Sequence, residues 1–154
     1  SSDGNHESGK IKNGFHDGTW KGYSNRLNCS YTELYEDGKF VSGVSIDSNN
    51  IEYQYKEMFS KPKPKKGIDD FYRYMGNNMR RTKEADINKI SGKIYLTFVV
   101  DKNGSIDEIK IIKGLGYGLD EEAITTLKSY RNWIPGKMKG INVRVMYSLP
   151  LTLK

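Results

Sequence analysis

Trp133-Ile134-Pro135-Gly136-Lys137-Met138-Lys139-Gly140-Ile141-Asn142-Val143-Arg144-Val145-Met146-Tyr147-Ser148-Leu149-Pro150-Leu151 is the stretch that decides how this chain folds. From Ile141 onward it alternates. Ile141, Val143, Val145, Tyr147, Leu149 and Leu151 share one face, while Asn142, Arg144, Met146, Ser148 and Pro150 share the other. That spacing predicts one long half-buried strand. No later segment of the sequence is there to pair with it, so one backbone edge is expected to stay open to a partner. Pro135 disfavours helix at Ile134 and Gly136 tolerates positive φ, so the two are expected to redirect the chain into this strand, with Trp133 anchored in the core beneath the turn. Pro150 has no N–H and marks either the end of usable pairing or an unpaired edge. Arg144 reads as a solvated charge or as a contact for an acidic residue of a partner.

Upstream of this stretch the order reads helix, strand, strand, helix. Asp69 and Asp70 sit where acids favour a helix N-terminus, and Phe71, Met75 and Met79 recur at helical spacing before Arg80, Arg81 and Lys83. Lys93 to Val100 alternates, Asp101-Lys102-Asn103-Gly104 signals a hairpin, and Ile106 to Ile112 returns. Asp120-Glu121-Glu122 opens a second helix with Leu119, Ala123, Ile124, Leu127 and Tyr130 in one stripe. The expected fold class is α+β, a three-stranded antiparallel sheet with two helices on one face.

A small all-β hairpin region is expected to precede that domain. Thr19 to Tyr23, Ser30 to Tyr35, Lys39 to Ile46 and Ile51 to Tyr55 are short β-type runs, with Asp17-Gly18 and Asp37-Gly38 as hairpin turns. Ser60-Lys61-Pro62-Lys63-Pro64-Lys65-Lys66-Gly67 reads as a solvated, semi-rigid spacer. The expected division is therefore 1–60 hairpin region, 61–67 linker and 68–154 C-terminal domain.

Charge divides along the same line. Residues 1–60 carry 6 basic and 9 acidic side chains, residues 61–154 carry 19 and 10, and the whole chain is +6. The C-terminal part prefers anions, yet its basic residues are scattered and its aromatics fall at core-like positions, so nucleic acid is not the expected partner. Cys29 stands alone, which excludes an intramolecular disulfide and a cysteine-built zinc site.

The C-terminal residues also carry a resemblance. Ser91-Gly92-Lys93-Ile94-Tyr95-Leu96-Thr97-Phe98-Val99-Val100-Asp101-Lys102-Asn103-Gly104, then Gly114, Leu119-Asp120-Glu121-Glu122-Ala123, Trp133-Ile134-Pro135-Gly136, Gly140 and Tyr147-Ser148-Leu149-Pro150 resemble the C-terminal domain of the TonB energy-transducer family over roughly residues 68–154. The resemblance lies in the combination: Gly92 at a strand start, Asn103-Gly104 in a hairpin, and Trp133, Pro135, Gly136 and Gly140 before a terminal strand. It implies a periplasmic domain, anchored to the inner membrane by an upstream N-terminal segment and coupled through that segment to an ExbB–ExbD-type complex. It also implies that a TonB-dependent outer-membrane transporter supplies a TonB-box segment, which adds as a strand beside Ile141, Asn142, Val143, Arg144, Val145, Met146, Tyr147, Ser148 and Leu149. An opening without Met at Ser1-Ser2-Asp3-Gly4 fits a piece of such a protein.

Where many family members carry an aromatic–proline pair this chain has Arg81-Thr82, so a different exit from the first helix is expected. Tyr35 to Gly43 weakly resembles one unit of the MORN-type repeats, and Asp17 to Tyr23 a degenerate second one. A homodimer through the open strand is a further expectation. A ligand-sensing or scaffold ectodomain of a membrane-bound regulator is the alternative setting for the same domain.

Chemistry-bearing motifs are sparse. Gly114-Leu115-Gly116-Tyr117-Gly118 has the wrong spacing for a dinucleotide loop, and the acids at 69–70 and 120–122 occupy helix starts. His6 and His16 have no base, nucleophile or metal-ligand spacing beside them. No enzyme, cofactor or metal site is expected.

Overall fold

The computed structural model describes residues 6–154, so the Ser1-Ser2-Asp3-Gly4 opening lies outside the described residues. In chain order the elements are β1 (His6–Lys12), β2 (Phe15–Ser24), β3 (Cys29–Glu36), β4 (Lys39–Asp47), β5 (Glu52–Tyr55), β6 (Phe59–Ser60), β7 (Lys63–Pro64), α1 (Ile68–Asn78) and α2 (Lys83–Ile87). There follow β8 (Gly92–Val100), β9 (Ile106–Lys113), α3 (Leu119–Ser129), β10 (Trp133–Ile134), β11 (Gly136–Met138), β12 (Ile141–Val143) and β13 (Val145–Leu153). The mixture of helices and antiparallel strands is α+β. Two compact units form among the described residues: residues 6–60 with 137–142, and residues 61–136 with 143–154.

In the first unit β1 to β5 make an antiparallel meander in sequence order. Asp37-Gly38 is the turn between β3 and β4, with positive φ at both residues as a two-residue hairpin requires. Asp17-Gly18, expected as a turn, lies instead inside β2 at an irregularity of its pairing with β1. The first hairpin turns at Asn13-Gly14, where both φ values are positive; a glycine's positive φ can also be absorbed as a bulge, which is what Gly18 does. Aromatic rings cover glycines on neighbouring strands. Tyr31 lies over Gly22 and Tyr55 over Gly43, so close that a Cβ on either glycine would collide with the ring.

That face of the meander buries a carboxylate. Glu33 is 1% exposed and accepts hydrogen bonds from the Tyr35 and Tyr55 hydroxyls. Its counter-charge comes from far along the chain: Lys139 Nζ lies 2.6 Å from Glu33 Oε2 and 3.7 Å from the centre of the Tyr31 ring. Lys139 is held by its backbone too, its N–H donating to Met58 O at 2.9 Å and its carbonyl accepting from Ser45 Oγ at 2.7 Å. β11 pairs with β6 in the register Lys137–Ser60 and Met138–Phe59.

The second unit holds the sheet β13-β8-β9, antiparallel throughout. Ile94, Leu96, Phe98 and Val100 point to one face, joined there by Leu149 and Leu151 of β13. Phe71 and Met75 of α1, Ala85 of α2, and Leu119, Ala123 and Leu127 of α3 cover that face. α1 and α3 are tied by Tyr130 Oη donating to Asp70 Oδ2 at 2.9 Å and by the Tyr74–Ser129 hydroxyl pair at 2.6 Å. The short α2 was not anticipated. Thr82 caps it by accepting from Ala85 N at 3.1 Å, and Arg81 closes its other end by donating to Ala85 O and Ile90 O. The Arg81-Thr82 pair thus replaces one helix exit with a second helical turn.

Two expectations are corrected. Lys63-Pro64, read as solvated spacer, pairs with Trp133-Ile134, and Pro62 and Pro64 are buried; proline has no N–H to leave unsatisfied there. Ile141 to Leu151 is not one strand. Ile141–Val143 is β12, in the β12-β11-β6 sheet, Arg144 interrupts, and only from Val145 does the chain join β8.

Candidate functional site

β13 pairs with β8 in an unbroken register from Val145–Val100 to Leu153–Gly92. It stands at the margin of its sheet, and among the described residues no strand lies along its other edge. The orientation of its backbone follows from Pro150. This residue faces Tyr95, has no N–H to offer it, and gives its carbonyl to Tyr72 Oη of α1 at 3.1 Å. In an antiparallel ladder a residue sends its N–H and C=O to the same side, alternating along the strand. Met146, Ser148, Pro150 and Thr152 therefore present their main-chain groups to the open edge, and Tyr147, Leu149 and Leu151 present theirs to β8. Proline is tolerated at 150 because the N–H it lacks belongs to the unpaired side.

A groove of about 690 Å³ runs beside the last residues of β13. Tyr72, Met75 and Gly76 of α1, with Met79 just after it, form one wall and Pro150 to Lys154 the other, with Arg81 at the end. A Cβ built on Gly76 would meet nothing within 4 Å, so the missing side chain leaves real space. Arg81 Nη1 donates to Lys154 O at 3.1 Å and Nε to Asp86 Oδ1 at 2.6 Å, so this arginine is already engaged.

The nine residues expected to receive a peptide are thus divided. Val145, Met146, Tyr147, Ser148 and Leu149 share β13, Ile141, Asn142 and Val143 lie in β12, and Arg144 stands between the two strands. Arg144 Nη1 donates to Asp101 Oδ2 at 3.1 Å and Asp107 Oδ2 at 3.2 Å, and Nη2 lies 3.3 Å from Glu108 Oε1. The hydrogen bond that the guanidinium donates to Asp107 holds it above its ordinary pKa.

The residues around the turn have structural places. Trp133 is buried within ring contacts of Phe71, Phe98, Tyr130 and Tyr147 at 5.2–6.1 Å, and its indole N–H has no hydrogen-bond partner among the described residues. Gly104 has φ +83°, and a Cβ there would lie 2.6 Å from Trp133 O and 3.9 Å from Pro135 Cδ, so this loop accepts only glycine against the Trp-x-Pro turn. Asn103 Oδ1 accepts from Ser105 N at 3.0 Å. Gly92 opens β8, and Gly136 is buried at the start of β11. Gly140 packs near Tyr53 in the first unit.

Sequence reasoning passed over Tyr72 and Gly76. A lone helical glycine is ambiguous, and only its position beside β13 gives it meaning. The Gly114 to Gly118 loop is closed to anions, because Leu115 N and Gly116 N donate to Asp120 at 2.9 and 3.1 Å. No group of metal-ligating side chains occurs among the described residues, and no helix among them is long and apolar enough to cross a membrane.

Comparison with known proteins gives two likenesses. Residues 82–153 match the family described as the Gram-negative bacterial TonB protein C-terminal. The solution structure of the Helicobacter pylori TonB C-terminal domain is 22% identical, covering 56% of this chain and 91% of that one with a TM-score of 0.46. A search of curated proteins returns no match. The matched stretch, residues 82–153, contains β8, β9, α3 and nearly all of β13, and it is this part of the chain that is similar to the TonB C-terminal domain.

Proposed function

We propose that this chain is the interaction part of a TonB-like energy transducer and binds the TonB-box segment of an outer-membrane transporter by strand addition at the open edge of β13. The observation that carries this reading is the one-sided pairing of β13, with the main-chain groups of Met146 and Ser148 turned outward above a blocked position at Pro150. Those two residues offer four hydrogen bonds to an added strand. At about 0.5–1.5 kcal/mol net for each, they contribute roughly 2–6 kcal/mol, enough for a reversible contact suited to a coupler that cycles between receptors. The groove beside α1 lies further along the same strand and would receive side chains of the incoming segment.

The family match supports a periplasmic interaction role and a non-catalytic one. In this reading an upstream segment anchors the protein in the inner membrane and couples it to an ExbB–ExbD-type complex, so that proton-motive force reaches the transporter. Titration of TonB-box peptides into 15N-labelled protein tests the proposal. Shifts should concentrate at Met146 and Ser148 and along the Tyr72–Met79 wall. A spectrum that stays unchanged at millimolar peptide rejects it. A second copy of this chain pairing along the same edge is the competing occupant, and sedimentation over a concentration series separates the two.

A further inference from the structure

The side of the β13-β8-β9 sheet turned away from the helices exposes Lys93, Tyr95, Ser148 and Pro150, buries Val99 toward its other end, and is uneven in its chemistry. We infer that this face docks on an anionic phospholipid surface. The inference is independent of what pairs with the edge of β13.

Register defines the face. Tyr95 lies between Pro150 and Lys113, and Thr97 between Ser148 and Lys110, while Lys93 stands opposite Thr152. The pairing of β8 and β9 shifts between Tyr95 and Leu96, and Ile112 is the extra residue there, extruded to 65% exposure. Tyr95 is 42% exposed and Met146 64%. Tyr95, Thr97, Ile112, Ser148 and Pro150 surround a shallow hollow of about 320 Å³.

Lys93, Lys110 and Lys113 ring this apolar centre. All three are exposed, and none takes part in an ion pair among the described residues. The acids of the same sheet are gathered at its other end, where Asp101, Asp107 and Glu108 hold Arg144. One end of the face therefore combines three free ammonium groups with an exposed tyrosine and isoleucine. Long lysine stems lie along apolar surface while their heads reach anions, and tyrosine sits with its ring in the apolar layer and its hydroxyl in the polar one. A shallow rather than pocketed surface matches a fluid headgroup layer better than a single peptide side chain. The acidic end tilts that approach, keeping the Arg144 cluster away from the lipid.

Sedimentation of the full chain with lipid vesicles provides the test. Binding to vesicles containing phosphatidylglycerol should exceed binding to pure phosphatidylcholine vesicles by at least about tenfold and weaken with salt. The double variant Lys110→Gln/Lys113→Gln should lose about thirtyfold, the effect of two lysines at an anionic surface. Ile112→Ser should weaken binding further with native circular dichroism retained, and Lys128→Gln/Arg131→Gln, away from this face, should bind as the parent does. Equal binding to both vesicle types overturns the inference. So does an unchanged double variant, a loss caused equally by the Lys128/Arg131 pair, or capture of soluble polyglutamate without vesicle binding.

Discussion

Lys139 carries a positive φ of 51° and a charge that must be matched inside the first unit. With Glu33 1% exposed and the lysine side chain 14% exposed, the pair is costly to break from one side. Glu33→Gln should destabilise the protein by about 3–5 kcal/mol in urea unfolding, whereas Glu33→Leu together with Lys139→Met should cost clearly less, since no charge is then left alone. A double variant worse than the single one would contradict this account. The tyrosines supply a pH test. Burial, then the Glu33 charge, pushes Tyr35 up to about 12, and burial with the Asp70 hydrogen bond does the same for Tyr130. Between the ordinary tyrosine pKa near 10 and about 12 the unfolded chain has lost protons that the folded chain retains, so stability should be full below pH 10 and fall as pH rises toward 12. Urea midpoints at pH 8, 10 and 11 check the slope, and a flat profile contradicts it. In the second unit Trp133→Ala removes the centre of a ring cluster and should cost about 3–5 kcal/mol. Trp133, Pro135 and Gly136 are conspicuous in the sequence as a unit. The Glu33–Lys139 pair is not, because nothing local to either residue names a partner on the other side of the chain.

At the scale of elements, alternation from Val145 to Leu153 shows directly in the burial of β13. The break at Arg144 does not show in the sequence. β12 and β13 each bury one face, so the same two-residue period runs through the point where the chain passes from one unit to the other. Likewise Asn13-Gly14 and Asp17-Gly18 both have turn chemistry, and strand pairing decides which one turns and which one bulges. The edge of β13 makes a sharp prediction. Ser148→Pro deletes an N–H that β8 does not use, so stability should change little while peptide affinity falls by about two- to thirteenfold, the worth of one lost hydrogen bond. Gly76→Leu fills the groove wall, favours the helix, and should raise the unfolding midpoint while weakening peptides whose side chains enter there. Calorimetric titration paired with urea unfolding separates the two effects for both variants.

At the scale of the molecule, the chain leaves its second unit at Gly136, completes the first with Lys137–Asn142, and returns at Val143. A protein trimmed to residues 61–154 should therefore show random-coil amide shifts at 137–142 while β8 and β13 keep theirs. The central claim is that the outward main chain of β13 accepts a strand, and hydrogen exchange at the amides of Met146 and Ser148 tests it most directly. In the free protein both should exchange fast, beside protected Tyr147 and Leu149. With saturating TonB-box peptide both should become protected. Bound peptide with Met146 and Ser148 still exchanging fast would contradict strand addition at this edge.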